Sequence, residues 1–335
     1  MRPHTRRFVA VLFSFLTPIL VGGPLALPGP AQAFDLQGHR GARGLAPENT
    51  LIAFELALAI GVTTLELDVG LTADGVPVIV HDPHLPLDMT RDIWGEWLTA
   101  PAPLIHSLTR NQLGTYDVGR ARPDSATARA FPEQHPRDGA RLPTLAQLFE
   151  RVNALGADHV RFNIETKINP TQPDATASPE AFVDAIVAAA ERAGMMRRIM
   201  LQSFDWRTLE LVQEVAPGVP TVFLTVHSPT QDNAASPDWA NGMLRAEFPS
   251  VPHMVLVAGG RVWAPNHASL TREQVQLARG LGLQIVPWTV NNPADMRRLI
   301  DWGVDGLITD YPNRLREVMQ EVGLRLPPRV PLPAP

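Results

Sequence analysis

Short β-rich runs alternate with segments of helical periodicity from Asp35 onward, and this alternation limits the possible fold more than any other feature of the sequence. It predicts repeated βα units and therefore a parallel sheet. Eight strands are predicted, around residues 36–40, 64–70, 161–165, 199–203, 220–225, 262–266, 284–289 and 306–309. Eight repeats in about 290 residues favour one TIM (β/α)8 barrel, because a doubly wound sheet would normally carry a glycine-rich dinucleotide turn that this sequence lacks.

Three of the intervening helices have recognisable start and stop signals. Each begins near a capping residue or a first-turn proline and ends at a glycine, which accepts the left-handed conformation common at helix ends. The start and stop pairs are Pro47 with Gly61, Ser178 with Gly194, and Asn292 with Gly303.

Two internal stretches depart from the alternation. Residues 84–140 are rich in proline and arginine and only weakly periodic. They predict a small insertion over the active face, with a flexible part near residues 123–141. Residues 227–260 predict a helix that is short or missing.

The two ends of the chain have compositions of their own. Three arginines precede an apolar run from Phe8 to Val21, and Ala31-Gln32-Ala33 supplies a small-residue cleavage site. This pattern predicts a signal peptide over residues 1–33 and a periplasmic or secreted mature chain without stable membrane insertion. A membrane anchor is the alternative, but an anchor needs about 20 apolar residues and this run is shorter. Residues 34–326 form the predicted barrel domain, and the proline-rich residues 327–335 predict an extended tail.

Composition excludes several classes of function. The chain has no cysteine, so it can form no disulfide, no thiolate metal site and no cysteine nucleophile. Its net charge is −5, and it becomes −8 when the three arginines of the predicted signal peptide are removed. This negative charge argues against a nucleic-acid partner.

A predicted hairpin gathers the first candidate site residues. Glu66 and Asp68 lie on one face of a strand, and Asp74-Gly75 is a preferred two-residue turn. If that turn forms, His81 on the returning strand lies directly opposite Asp68. Two carboxylates and an imidazole would then share one face. From these residues alone, a surface hairpin with a solvated polar face is an equal alternative.

Other strand ends add charged groups at the same edge of the predicted barrel, where catalytic groups of such folds lie. His39 and Arg40 end the first strand, and we expect Gly41 and Gly44 beside them to let a ligand approach the backbone. A later strand ends in Asn163, Glu165 and Lys167, which alternate onto one side. The carboxylates Glu66, Asp68 and Glu165 suit one divalent cation, Ca²⁺ or Mg²⁺. Zinc held by His81 and His84 is a less favoured alternative.

Lysine usage singles out one position. The chain has 29 basic residues, of which only Lys167 is a lysine. A compact ammonium beside the predicted metal site suits a phosphate oxygen, although a chance surface lysine is the simpler alternative. The nucleophile elbow, the Walker loop and the zincin motif are all absent. Ser203 has no evident triad partner, so we interpret it as strand-end structure or a substrate contact.

Several ordered motifs together resemble the glycerophosphodiester phosphodiesterase family. They cover nearly the whole mature chain and begin with Gly38-His39-Arg40-Gly41, Pro47-Glu48-Asn49-Thr50, Glu66-Leu67-Asp68-Val69, His81-Asp82 and Asn163-Ile164-Glu165-Thr166-Lys167. The later motifs are Gln202-Ser203-Phe204, Trp288-Thr289-Val290-Asn291 and Gly306-Leu307-Ile308-Thr309-Asp310-Tyr311-Pro312.

The resemblance implies a TIM barrel that hydrolyses glycerophosphodiesters, its small-molecule substrates, to glycerol 3-phosphate and an alcohol. It implies His39 and His81 as acid and base, and a divalent metal on Glu66, Asp68 and Glu165. Arg40 and Lys167 would then bind phosphate, and Trp288 would pack against the glycerol carbons. The sequence departs from the family pattern at two places: Thr166 stands in place of an aliphatic residue, and Asp88-Met89-Thr90 follows the His-Asp pair. The resemblance therefore does not specify the alcohol part of the substrate. A barrel phospholipase or lipid-headgroup phosphodiesterase, and a non-catalytic exported binding protein, are the alternative functions.

Overall fold

Eight parallel strands form a nearly closed barrel in the computed structural model, which describes residues 33–333. The strands are β1 (Asp35–Gly38), β2 (Thr64–Leu71), the hairpin strand β3 (Pro77–Ile79), β4 (Arg161–Thr166), β5 (Ile199–Ser203), β6 (Thr221–Thr225), β7 (Val262–Pro265), β8 (Gln284–Ile285) and β9 (Gly306–Thr309). Their order is β8-β7-β6-β5-β4-β2-β1-β9, with β3 paired to β2 outside the barrel path. The predicted α/β barrel class is therefore confirmed.

Backbone hydrogen bonds bring the two ends of this sheet together. Asp305 N donates to Ile285 O over 2.9 Å, and Ile308 N donates to Pro287 O over 3.0 Å. The seventh predicted strand, 284–289, is regular only over its first two residues, which form β8. Pro287 comes two residues after Ile285, and proline has no N–H to donate to a ladder.

Ten α-helices are assigned in the described part of the chain, and most of them cover the outside of the barrel. They are α1 (Leu51–Ile60), α2 (Arg110–Leu113), α3 (Ala126–Ala130), α4 (Leu145–Ala154), α5 (Pro179–Arg192), α6 (Trp206–Val215), α7 (Val251–Val257), α8 (Arg272–Gly280), α9 (Pro293–Trp302) and α10 (Pro312–Glu321). Thr50, Ser178 and Asn292 cap α1, α5 and α9 through their side chains. Gly61 and Gly303 end α1 and α9 with positive φ, as their positions predict.

Side-chain alternation along the strands separates the main core from the barrel interior. On β2, Leu65, Leu67 and Val69 are fully buried in the main hydrophobic core, which also contains apolar side chains of the surrounding helices. The intervening Glu66 and Asp68 face the interior. Burial of each large apolar side chain contributes about 1.5–3 kcal/mol, and this outer layer fixes which way the carboxylates point.

The hairpin register differs from the prediction. Val69 pairs with Ile79 and Gly70 with Val78, so Asp68 lies opposite Val80 rather than His81. The turn contains three residues, and in this turn only Gly75 has positive φ, at 73°. A two-residue type I′ turn would need positive φ at Asp74 as well, so the Asp-Gly pair instead ends a three-residue loop.

Residues 84–140 contain α2 and α3. Their apolar side chains, such as Leu85 and Ile105, pack with those of the hairpin, such as Val80, in a small cluster separate from the main core. The flexibility of residues 123–141 stays a prediction. Between β6 and β7 the chain forms two short 3₁₀ helices and irregular turns before the seven-residue α7. Beyond α10, Val330 is buried and donates its N–H to Leu58 O.

The predicted signal peptide lies outside the described residues except for Ala33. Within residues 33–333, none of the helices combines the length and apolar character that crossing a bilayer requires.

Candidate active site

A pocket of about 230 Å³ lies where the barrel strands end at their carboxyl edge. All eight site residues predicted from the sequence belong to it or border it. Those lining the pocket are His39, Arg40, Glu66, His81, Glu165, Lys167 and Trp288, together with Arg43, Gln202, Phe204, Leu224, Thr289 and Ile308. Asp68 is fully buried behind them.

Three carboxylates come together because β2 and β4 are neighbours in the barrel. Asp68 pairs directly with Glu165 across the two parallel strands, and Glu66 lies two residues earlier on the same face. One carboxylate oxygen from each residue lies within 4.8 Å of the others, and all three side chains are buried. Adjacent strands therefore gather residues that are almost a hundred positions apart in sequence.

The negative charges of this cluster are only partly compensated. Burial, with the nearby charges of Asp68 and Glu165, raises the pKa of Glu66 well above its usual range. Burial likewise raises the pKa of Glu165 to about 7, although Lys167 opposes the rise. Burial also disfavours ionisation of Asp68, but the positive charges around it, Arg40 foremost, together outweigh burial and hold the pKa of Asp68 low. Burial and the neighbouring carboxylates thus disfavour the ionised forms of Glu66 and Glu165.

This donor set fits a hard divalent cation. The Oδ1 atom of Asp68 is buried and accepts no hydrogen bond, which is costly for a carboxylate oxygen unless a cation or another partner binds it. Carboxylate oxygens are the ligands that Ca²⁺ and Mg²⁺ prefer, and three of them lie close enough here to share one ion. Among the described residues, no histidine joins the cluster, and His84 lines a neighbouring groove instead.

His39 is held by a carboxylate from the last strand. Its Nδ1 lies 2.6 Å from Asp310 Oδ1, and its Nε2 lies 3.9 Å from Glu66 Oε2. Asn291 Nδ2 donates to the other oxygen of Asp310 over 2.6 Å. Burial lowers the pKa of His39 even though Asp310 opposes that change. The ring is therefore favoured as neutral imidazole, with Nδ1–H donating to Asp310 and Nε2 free toward the pocket.

His81 reaches the pocket through a bend rather than through strand pairing. Strand β3 ends at Ile79, and the chain turns at residues 81–83. His81 Nδ1 lies 2.6 Å from Asp82 Oδ1, whose side chain is 53% exposed. Burial and the charges of Lys167 and Arg40 lower the pKa of His81 to about 4.

Arg40 links the first strand to the carboxylates. Its backbone has φ of 48°, an uncommon value for a residue with a side chain, and its N–H donates to Glu66 Oε2 over 2.9 Å. Its Nη1 donates to Glu48 Oε1 over 2.6 Å, and its Nε lies 3.1 Å from Asp68 Oδ2. Asn49, also at positive φ, donates to the same Asp68 oxygen. Strained backbone at such positions persists only where surrounding contacts hold it.

Lys167 is a second positive group at the carboxylate cluster. Its Nζ donates to Glu165 Oε1 over 2.7 Å and lies 3.8 Å from Asp68 Oδ1. Nearby negative charge from Glu165 and Asp68 outweighs burial and raises the pKa of Lys167. The ammonium is therefore charged and borders the pocket at the carboxylate cluster.

An apolar wall faces these charges. Trp288 and Phe204 meet edge to face with ring centroids 5.4 Å apart, and Trp288 Nε1 donates to Ala264 O over 2.8 Å. Leu224 and Ile308 complete the wall. The indole is fixed in place and presents its ring to the pocket.

Some expectations about neighbouring residues need correction. Gly41 and Gly44 admit no ligand: a side chain on Gly41 would strike the backbone of Ala53, and one on Gly44 would strike the ring of Tyr311. These glycines serve the packing of the first loop. Ser203 is buried and bonded to the Thr166 hydroxyl over 2.9 Å, away from the pocket. The unusual Thr166 is therefore paired in the outer layer and leaves the pocket unchanged.

The sequence interpretation assigned no role to four residues that support the site. Asp310 holds His39, and Gln202 Nε2 donates to Glu66 Oε1 over 2.5 Å. Glu48 pairs with Arg40 and Arg43, and Asn49 holds Asp68. Each stands inside one of the motifs that carry the family resemblance, which was the available signal.

Comparisons with known proteins identify the family of this chain. The family described as the Glycerophosphoryl diester phosphodiesterase family matches residues 39–314. A Bacillus subtilis glycerophosphodiester phosphodiesterase is 29% identical over 316 residues, covering 92% of this chain and 94% of that protein.

Solved structures show the same fold. A Silicibacter pomeroyi protein assigned as a glycerophosphoryl diester phosphodiesterase has 37% identity and a TM-score of 0.79, covering 88% of this chain and 96% of its own. An Oleispira antarctica phosphodiesterase, solved with its product sn-glycerol 3-phosphate, has 20% identity and a TM-score of 0.61 over 85% and 96% of the two chains. The chain belongs to the glycerophosphoryl diester phosphodiesterase family and is a phosphoric diester hydrolase.

Proposed function

We propose that this enzyme hydrolyses glycerophosphodiesters to sn-glycerol 3-phosphate and an alcohol, with one bound Ca²⁺ or Mg²⁺ ion and two catalytic histidines. The observation that carries the proposal is one pocket in which two imidazoles and the cationic side chains of Arg40 and Lys167 border three buried carboxylates. The product named for the Oleispira antarctica relative suits this choice of substrate.

Glu66, Asp68 and Glu165 would hold the cation. When bound, a divalent ion at this point supplies positive charge that stabilises the non-bridging phosphate oxygens as they gain negative charge. Arg40 and Lys167 border the same space and would donate to those oxygens. Such contacts accelerate the reaction only if they strengthen in the transition state.

His39 and His81 would move the protons. Each has its Nδ1 against a carboxylate, Asp310 or Asp82, so each offers Nε2 to the reacting groups. One histidine, as neutral imidazole, takes the proton from the nucleophile as the new P–O bond forms. The other must be protonated, which the negative charge of the bound phosphodiester favours, and it gives this proton to the leaving alkoxide as the P–O bond to the alcohol breaks. Trp288 would pack against the glycerol carbons on the apolar side of the pocket.

An assay of product release tests the reaction. The enzyme with Mg²⁺ or Ca²⁺ should release glycerol 3-phosphate from glycerophosphocholine and related diesters, and EDTA should abolish release. His39→Ala or His81→Ala should reduce kcat by about 100-fold or more while circular dichroism stays unchanged. Near-normal turnover by either variant would refute its catalytic role. Faster cleavage of intact phospholipid than of the deacylated diester would instead favour a barrel phospholipase or lipid-headgroup phosphodiesterase. Binding of the diester without any turnover would favour a non-catalytic binding protein.

Metal binding can be measured without turnover. Added Mg²⁺ or Ca²⁺ should raise the thermal unfolding midpoint, since a ligand at 100 times its Kd stabilises the folded state by about 2.7 kcal/mol. Glu165→Gln should remove most of this shift. Glu55→Gln is the matched control, because Glu55 pairs with Arg151 outside the pocket. Equal metal shifts in both variants would argue against the carboxylate site.

Export is a separate proposal. It rests on the basic head, the apolar run and the Ala31-Gln32-Ala33 site. The N-terminal sequence of the mature protein, isolated from periplasm or medium, should begin near Phe34. An intact N-terminus on a cell-associated protein would contradict it.

A further inference from the structure

A tight turn in the insertion presents two large apolar side chains to solvent. Ile93 is 63% exposed, and Trp94 is 79% exposed, the highest value for a large apolar side chain in residues 33–333. The neighbouring Gly95 and Glu96 are exposed as well. We refer to Ile93 and Trp94 as the tip.

The turn that carries the tip is ordered by its own hydrogen bonds. Asp92 N donates to Glu96 O over 2.9 Å, and Gly95 N donates to Asp92 O over 3.1 Å. The Asp92 carboxylate accepts further bonds from the N–H groups of Trp94 and Glu96. These contacts hold the two side chains outward, so they do not fold back against the insertion.

The base of the turn is anchored in the insertion. Thr90 is fully buried, and Arg91 pairs with Asp117 through its backbone and through a 2.6 Å ion pair. The Arg91 guanidinium also lies over the ring of Trp97, 5.5 Å from its centroid. The tip is therefore a rigid projection, which needs little ordering when it inserts into a partner.

We propose that the tip docks on the surface of a zwitterionic glycerophospholipid bilayer. Two side chains of this size offer roughly 300–400 Å², well below the roughly 800 Å² that each partner in a stable protein interface contributes. A bilayer requires no complementary protein surface, and tryptophan is the side chain enriched at its headgroup level. Asp92 and Glu96 flank the tip and the chain carries a net charge of −5, so anionic lipid gives no added attraction.

The tip is close to the catalytic pocket along the chain. A groove of about 700 Å³ continues from the pocket under the insertion and is lined by Arg40, His81, Asp88 and Met89, among others. Met89 is five residues from Trp94, so the tip lies within about 18 Å of the groove. Docking would hold the groove near the lipid surface that is the source of glycerophosphodiesters.

Flotation with phosphatidylcholine vesicles tests the docking without any turnover. The wild-type protein should float with the vesicles, and brominated phosphatidylcholine should quench part of its tryptophan fluorescence. The double variant Ile93→Ser, Trp94→Ser should bind at least roughly tenfold more weakly and lose the quenching. Val257→Ser, which removes a 68% exposed apolar side chain from α7, is the matched control and should bind like wild type. Vesicles with phosphatidylglycerol should bind the protein no more tightly.

Three outcomes would overturn the proposal: no flotation of the wild type, equal flotation of the double variant, or a lipid-free dimer that the double variant converts to monomer. Unchanged thermal midpoints establish that both variants fold. Hydrolysis of soluble glycerophosphocholine should be the same in all three proteins. Because that assay contains no vesicles, failure of docking leaves the phosphodiesterase proposal standing.

Discussion

Asp310 and Asp82 each contact the Nδ1 atom of one histidine that lines the pocket, but their surroundings differ. Asp310 is buried and held by Asn291, whereas the Asp82 side chain is 53% exposed. A buried partner fixes the tautomer and orientation of an imidazole because water cannot replace it. An exposed partner is replaced by water at small cost.

Asp310→Asn should therefore reduce kcat by about 100-fold or more, with little change in KM, because the amide cannot hold His39 in the same tautomer. Asp82→Asn should have a much smaller effect. Steady-state kinetics on glycerophosphocholine, with kcat and KM determined separately across pH, provide the measurement. Equal losses in the two variants would show that burial does not distinguish the two carboxylates.

The same aspartate predicts an acid dependence of stability. Asp310 is buried, which opposes ionisation, but the contact with His39 lowers its pKa from 3.8 to about 2. A carboxyl group with a lowered pKa stabilises the fold above its unfolded pKa and loses this contribution as pH falls. The contribution is about 2 kcal/mol at pH 5, of which roughly 1 kcal/mol is lost by pH 3. Urea unfolding should therefore show a steeper decline for wild type than for Asp310→Asn over this range; parallel declines would contradict the assignment.

Among the elements, the β2–β3 hairpin depends most on a single turn. Its three-residue loop requires Gly75 in the left-handed region, and that loop sets the register that leads to His81. Had Asp74 and Gly75 alone formed the turn, every residue after it would face the opposite side.

Gly75→Ala should destabilise the protein by about 1 kcal/mol, because a side chain disfavours positive φ while nothing nearby obstructs the added methyl group. Gly218→Ala is the matched control, since Gly218 has an ordinary φ and equally open surroundings. Its free energy of unfolding should change little or rise slightly. Chemical denaturation measures both, and an equal loss in the two variants would rule out the conformational explanation.

These elements also show what the sequence could predict. Helices α1, α5 and α9 could be placed because Thr50, Ser178 and Asn292 act locally, within one turn of the residues they cap. The hairpin register could not, because Asp-Gly suits both a two-residue turn and the end of a three-residue loop. The predicted strand 284–289 is longer than β8, which ends at Ile285. The effect of Pro287 could not be predicted, because its missing N–H matters only where a neighbouring strand would have accepted it.

For the whole molecule, the sequence predicts site contacts between successive strands, but not those that form only when the barrel closes. Glu66, Asp68 and Glu165 could be grouped because β2 and β4 are successive barrel strands with matching polar alternation. The contact of Asp310 with His39 could not be derived, since it depends on the last strand pairing with the first across 271 residues. The support of Glu66 by Gln202 likewise depends on strand stagger inside the barrel.

The central claim is that both histidines face one cation held by acids of the second and third barrel strands. A crystal soaked with Mn²⁺ and glycerol 3-phosphate, with anomalous scattering recorded at the manganese edge, tests it most directly. We predict one strong peak about 2.0–2.6 Å from oxygens of Glu66, Asp68 and Glu165, with the phosphate between that peak and the Nε2 atoms of His39 and His81. A manganese peak elsewhere, or a phosphate out of reach of both imidazoles, would contradict the account.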